Sequence, residues 1–528
     1  MRGSHWLPRS ACVGMEKVGM RNAKRDGARY VLALDQGTTS SRALLFDHDG
    51  GIVGIAQHEL AQIYPDSAGT NAGWVEHDPM DILSTQLTAA IEVLTRAKVD
   101  PSNVAAIGIA NQRETAIVWD RETGTPVCNA IVWQDRRTAE ACDRLRREGN
   151  EDSIRAKTGL LVDSYFSATK VEWILDNVAG ARARADEGRL AFGTVDSWLV
   201  WNLTGGKRHV TDRTNASRTL LYNIVEDRWD EELLRLFRIP ASMMPEVAWS
   251  SEVVGRAEER LGLGGIEIAG IVGDQQAALF GHLCARAGEA KCTYGTGCFL
   301  LQNIGDRFRL SGARMLTTIA AGGDRRLHYA LEGSVFIGGA VVQWLRDKMQ
   351  FIQTAPDVEQ IAASVEDAGN VMLVPAFTGL GAPHWDPYAS GMIIGVQRNT
   401  EIGHIARAAV ESIAFQVTDV VRAMESDTEH GFQRMRVDGG AARNDMLMQF
   451  QADMLGMAVE RPAVLETTAQ GAAYLAGLAT GFWSDLEEIR AARPADETFT
   501  PQMDGAKAQK KYAKWQDAVG RAKGWNRP

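Results

Sequence analysis

Residues 34–46 read LDQGTTSSRALLF, an acid and a glycine followed by four hydroxyl residues and an arginine. A small turn rich in N–H and O–H donors is suited to gripping a phosphate. Gly, Ser and Thr are also ordinary turn residues that cap their own backbone, so this turn alone leaves both readings open. Phosphoryl transfer needs charge neutralisation on the migrating group, a held metal, an in-line hydroxyl and a base for its proton. Thr38, Thr39, Ser40 and the backbone of Gly37 could cup phosphate oxygens, and Arg42 could add charge. Asp35, at a strand end beside them, could hold Mg²⁺ through water, because Mg²⁺ dehydrates reluctantly. Asp274 opens a helix, where its plain role is an N-cap, although a carboxylate fixed there is also oriented for a general base. Arg113 and Glu114 follow a buried strand. They read either as a surface ion pair, worth little, or as a donor and acceptor matched to adjacent hydroxyls of a polyol. In the second case an analogue lacking a hydroxyl would leave charges unpaired, which is a source of specificity.

These groups need elements to position them. Apolar runs predict strands over 30–34 and 43–47 joined by the hydroxyl turn, then a third over 52–57 after Asp49-Gly50-Gly51. A buried strand over 105–110 leads into Asn111-Gln-Arg-Glu-Thr, while 80–97 and 168–178 carry helical spacing. IEIAGIVGDQQAALFGHL reads as strand, Gly273-Asp274 break and helix. KCTYGTGCFLLQNIG repeats strand, donor-rich turn and strand, and MRVDGGAARNDMLMQF reads as strand, Asp-Gly-Gly turn and helix. The alternation predicts an α/β protein with mixed sheets. The first strand-like run begins near Tyr30, which leaves an N-terminal arm over 1–29, and the repetition predicts two similar domains over 30–281 and 282–528, facing each other across a cleft where ligands usually sit.

Composition narrows the partners. The 528 residues are 45% apolar, enough for two cores, and the net charge of −10 is dispersed, against nucleic-acid or anionic-membrane partners. Six cysteines without a CxxC pair point to a reducing, cytoplasmic setting rather than a disulfide framework or zinc cage. No run approaches the roughly 18 apolar residues of a spanning helix. Residues 1–29 lack an apolar signal core and read as an upstream start, added sequence or arm rather than a transit peptide. Asn202-Leu-Thr and Asn215-Ala-Ser read as chance matches to a glycosylation pattern.

There is no GxxxxGK[ST], and Gly262-x-Gly264 and Gly379-x-Gly381 lack the third glycine of a dinucleotide fingerprint. A kinase HRDxxxxN loop is absent too. Three loops in order, LDQGTTSSR, TYGTGCF and VDGGAARN, resemble those of the sugar kinase, actin and heat-shock-chaperone ATPase superfamily. VPAFTGLGAPHWDPYASGMIIGV and GDQQAALFG resemble its carbohydrate-kinase branch. From about residue 30 to about 485, NQRET, NAIVWQDRR, DSYFSATK, TNASRTLLYN and RVDGG are similar to the glycerol kinases.

The resemblance implies two ribonuclease H-like, actin-like domains and ATP- and Mg²⁺-dependent phosphorylation of glycerol to sn-glycerol 3-phosphate. It implies Asp274 as general base, Arg113, Glu114, Tyr165 and Gln275 on glycerol hydroxyls, and Trp133 with Phe299 as a wall against the carbon chain. Read without it, both aromatics are core residues. It places Thr296, within Gly295-Thr-Gly297, on the β- or γ-phosphate, and Gly339, Gln343, Gly440 and Asn444 around the nucleotide. Gly440 would allow close approach of chain to ligand, whereas Gln343 also reads as a plain solvated position. A homodimer or homotetramer is implied as well. Three stretches depart from the pattern. LGLGGIEI lacks the basic residues with which some bacterial members receive a sugar bisphosphate, VEDRWD lacks the histidine that others have phosphorylated, and Lys507 stands where an acid would support a regulator. Catalysis is expected with these controls absent or altered. The rivals are a kinase for a longer polyol or ketose such as xylulose, and a non-kinase ATPase module.

Overall fold

In the computed structural model the described residues are 30–65, 73–428 and 431–527. The predicted arm over 1–29 lies outside them. The hydroxyl turn tips a hairpin between β1 (Tyr30–Gln36) and β2 (Ser40–Phe46), followed by β3 (Ile52–Glu59). Every residue of β1 is buried, so it reads as one apolar run rather than an alternation. Helix α1 (Pro79–Ala97) starts where Asp78 accepts a hydrogen bond from the Met80 N–H, and it buries Ile82, Ala89, Ala90 and Val93 on one face. It leads to β4 (Val104–Asn111), parallel to β1. Helix α2 (Ser167–Asn177) belongs to the long excursion before β5 (Ser251–Arg256) and β6 (Glu267–Gly273). The sheet order is β5-β6-β4-β1-β2-β3. Helix α3 (Asp274–Gly281) then leaves it.

The second sheet starts with the hairpin of β7 (Glu289–Tyr294) and β8 (Cys298–Gly305), then β9 (Leu316–Ala320) and β10 (His328–Val335). After helix α4 (Ala340–Asp347) come β11 (Arg434–Asp438), helix α5 (Asp445–Leu455), β12 (Val459–Arg461), helix α6 (Thr467–Thr480) and β13 (Glu497–Phe499). Its order is β9-β10-β8-β7-β11-β12-β13. Leaving β9 aside, the two sheets match strand for strand. The sequence β3-β2-β1-β4-β6-β5 is joined antiparallel, antiparallel, parallel, parallel, antiparallel, and β10-β8-β7-β11-β12-β13 repeats those directions. The two donor-rich hairpins therefore occupy equivalent positions, as do Asn111 and Asp438 at the ends of β4 and β11.

The helices that follow β6 and β12 exchange sides. Helix α6 lies on the first sheet, where a Cβ on Gly108 would come within 2.1 Å of the Ala472 carbonyl oxygen. Helix α3 touches the second sheet, with Leu279 clustered among Leu301, Ala320 and Ala330. The two helices pack on each other through Gly281 against Thr467 and Gly471 against Ala277. A division between residues 281 and 289 thus separates the sheets but not the helices, because the seam draws one helix from each half. Among the described residues no helix is long and apolar enough to cross a membrane, and the five cysteines are free. Asn215 is fully buried and bonded to Asn111 and Asp212, which agrees with a chance glycosylation match.

Candidate active site

Asp35 and Arg42 face each other across the β1–β2 ladder. The Arg42 guanidinium donates to Asp35 and to Glu466, the residue before α6, and the two carboxylates hold it firmly cationic. Glu466 was not foreseen in the sequence. The expected phosphate cup is partly committed to its own fold. The Gly37 N–H, expected to face phosphate, instead donates to the Ser40 carbonyl at 2.9 Å and closes the turn. The Thr38 hydroxyl accepts from Trp133 Nε1 at 2.9 Å. Thr39 is exposed and Ser40 half-buried, so both hydroxyl side chains stand at the open tip of the hairpin.

Arg113 and Glu114 are not a surface pair: they are 3% and 1% exposed. Their closest approach is 3.7 Å, and each has better partners. Arg113 donates to both oxygens of Glu332 at 2.6 and 3.0 Å, to Gln276 Oε1 at 3.1 Å and to the Tyr165 hydroxyl at 3.5 Å, and its Nε lies 3.2 Å from Asp274 Oδ1. Glu114 accepts from Arg218 Nε at 2.6 Å, and Arg218 also reaches Glu332 at 3.0 Å. Glu114 has φ +63°, a left-handed conformation that is uncommon outside glycine and costs about 1–3 kcal/mol. Such strain clusters at functional sites, and here it belongs to the residue that turns the chain off β4. Sequence reading missed Arg218 and Glu332. An acid amid apolar neighbours in the strand HYALEGSV is the available signal, since a buried charge must be paired.

The second sheet supplies the opposite wall. Lys291 and Thr293 pair with Leu301 and Phe299, which pair in turn with Glu332 and Ser334. Directly opposed residues share a face. That face meets α3, since Lys291 Nζ donates to Gln275 Oε1 and to Thr293 Oγ1. Asp274 is the first residue of α3 and not its cap: Gly273 holds the cap position, and Asp274 Oδ1 accepts from the adjacent Gln275 N–H at 2.7 Å. Its side chain stays 30% exposed, against 2% for Arg113. Burial pushes its pKa up to about 6, with Arg113 opposing and Glu114 adding to the shift. Trp133 packs edge-on against Tyr165, ring centroids 5.6 Å apart, while Phe299 stands half-buried on the other sheet. Burial also raises the Tyr165 phenol, which therefore stays protonated at neutral pH.

Among the residues expected around the nucleotide, exposed Thr296 tips the second hairpin, and its carbonyl accepts from the Gly338 and Ala340 N–H groups. Gly339 caps α4 so tightly that a Cβ would lie 2.8 Å from the Gly295 carbonyl oxygen. Gln343 is exposed one turn into α4. At the end of β11 the conformational demand falls on Gly439, with φ +87°, whereas a Cβ on Gly440 would meet nothing within 4 Å. Gly440 is thus open towards space a ligand could use. The Asn444 side-chain oxygen is committed to capping α5, accepting from the Leu447 N–H at 2.8 Å.

Residues 30–281 match the N-terminal domain, and residues 290–480 the C-terminal domain, of the FGGY family of carbohydrate kinases. The chain is 58% identical over 496 residues to glycerol kinase of Koribacter versatilis, covering 94% of this chain and 99% of the relative. It is 56% identical over 502 residues to glycerol kinase of Rhodopirellula baltica, covering 95% and 92%. The crystal structure of Plasmodium falciparum glycerol kinase with ADP superposes with a TM-score of 0.87 at 36% identity, covering 94% of this chain and 98% of that one. A duplicated fold, paired hairpins and a partly open aspartate at the start of α3 therefore agree with sequence similarity along nearly the whole chain: it belongs to the FGGY family of carbohydrate kinases, among the glycerol kinases.

Proposed function

We propose that the protein transfers the terminal phosphoryl group of ATP to a primary hydroxyl of glycerol, giving sn-glycerol 3-phosphate and ADP. The observation that carries this reading is Asp274, a buried-site carboxylate left partly open among otherwise saturated charges. As the hydroxyl oxygen attacks the terminal phosphorus, its proton passes to Asp274 and the bond to the ADP oxygen breaks. Of Arg113's contacts within 3.5 Å, the two longest, to Tyr165 and Asp274, are the ones a polyol hydroxyl would most readily replace. Gln275 and Glu114 offer an amide and a carboxylate nearby. Trp133 couples the two substrates, because its indole holds Thr38 of the phosphate hairpin while its ring packs on Tyr165. Thr39, Ser40 and Thr296 meet the phosphates from the two hairpins, while Gly339, Gln343 and Gly440 border the nucleoside.

The residues present fit a nucleotide-borne Mg²⁺. Among the described residues no group of three or more acids, histidines or cysteines could hold a metal. That suits an ion held chiefly by phosphates and water with a single carboxylate, Asp35, beside them. When bound it neutralises phosphate charge. Arg42 and Glu466 keep Asp35 in place.

Coupled ADP release over glycerol, longer polyols, xylulose and no acceptor tests the reading. Release stimulated strongly by glycerol and weakly by the others is expected. Preference for xylulose would reassign the acceptor, and acceptor-independent turnover would reassign the protein to the ATPase modules.

A further inference from the structure

The far end of α3 carries an ionisable cluster that the proposed reaction leaves unused. His282 closes this helix, is fully buried, and places Nε2 3.0 Å from Asp438 Oδ2. The Thr467 hydroxyl donates to the same carboxylate oxygen. Each of the three residues adjoins a different part of the site. His282 ends the helix that Asp274 begins. Asp438 ends β11 immediately before Gly439 and the open Gly440. Thr467 starts α6 directly after Glu466, which holds Arg42 opposite Asp35. One carboxylate oxygen thus joins the helix of the base, the nucleotide loop and the support of the phosphate hairpin.

The surroundings keep the Asp438 carboxylate ionised. Burial alone would raise the Asp438 carboxyl, but His282 and Lys291 more than offset it and hold it down to about 2. Burial disfavours the imidazolium of His282. Arg436 and Arg493 donate to the backbone carbonyls of His282 and Gly281, occupying the end of α3. Among the described residues the buried His282 Nδ1 has no hydrogen-bond partner.

We propose that Asp438, held by His282 and Thr467, is a positioning residue that couples nucleotide binding at the Gly439–Gly440 loop to the placement of Asp274 and the phosphate hairpin. This rests on the kinase reading above. The test compares wild type, His282→Leu, His282→Gln and Thr467→Val by ADP calorimetry, steady-state kinetics and melting. In the Leu variant, ADP affinity and kcat should each fall about tenfold, as for one lost hydrogen bond to a charge, with the KM for glycerol within about twofold. The Gln variant, which keeps a side-chain N–H donor, should recover most of both. The proposal is overturned if the Leu variant binds ADP and turns over like the wild type, if the KM for glycerol rises in step with that for ATP, or if Gln rescues nothing. Should the Leu variant fail to fold, Thr467→Val removes only the second donor and decides by the same affinity and kinetic criteria. A wild type that binds ADP yet does not phosphorylate glycerol would overturn the kinase reading instead, leaving ADP affinity to decide this one.

Discussion

At the residue scale, Asp274 is held in tension between burial and Arg113. With a pKa of about 6, it is largely ionised at neutral pH yet basic enough to accept a proton in the transition state. As the proposed base Asp274 would act deprotonated, so kcat/KM should rise with pH through about 6 and level off above it, which a pH–rate profile reads. Asp274→Asn should lower kcat by about 10² to 10⁴-fold, change glycerol affinity far less, and erase that acidic limb. Unchanged turnover in this variant would remove Asp274 from the mechanism. Asp274, Arg113 and Glu114 stood out in the sequence because each follows within three residues of the end of a buried strand, where the chain leaves the sheet. Glu332 and Glu466 were not, since their guanidinium partners lie 219 and 424 residues away and nothing local ties them together.

At the element scale, the hairpins were legible because their turns are small and hydroxylic and their strands continuously apolar. The seam between α3 and α6 was not: the run TTAQGAAYLAGLAT shows that a helix can approach something closely, but not that the something is a sheet from the other half. Asn444 shows the same limit in reverse, since the family pattern points to nucleotide while the side-chain oxygen caps α5. The seam makes a test in which two effects oppose. Replacing Gly471 by Ala improves helix propensity by about 1 kcal/mol. The new Cβ, however, would sit 1.9 Å from the Ala277 carbonyl oxygen, backbone that cannot step aside. Overpacking of this kind costs about 1–3 kcal/mol or more, so the clash wins. Gly471→Ala should lower Tm in a calorimetric scan, while the same change at exposed Gly481, just beyond α6 with φ +71°, should cost only its backbone strain.

At the scale of the whole molecule, the two halves are joined through buried charge. Glu332, from the second sheet, receives Arg113 and Arg218 from the first half, and all three are at most 3% exposed. Burial pushes the Glu332 carboxyl up, but the two guanidinium groups more than offset this and leave it at about 2. Because the folded value lies below the ordinary one of 4.5, its contribution to stability is complete above that pH and is lost as pH falls towards about 2. Glu332→Gln would leave two guanidinium groups facing each other in a low-dielectric seam with only Glu114 and Asp274 as counter-charges. Breaking a buried pair costs about 3–5 kcal/mol. The variant should therefore unfold at markedly lower denaturant concentration at neutral pH, and its deficit should shrink as wild type and variant are acidified from 4.5 towards 2. A deficit that persists undiminished at the acid end would assign the loss to packing rather than charge. Arg113 loses its firmest anchor in the same variant, so the KM for glycerol should rise as well, linking the cohesion of the two halves to acceptor recognition.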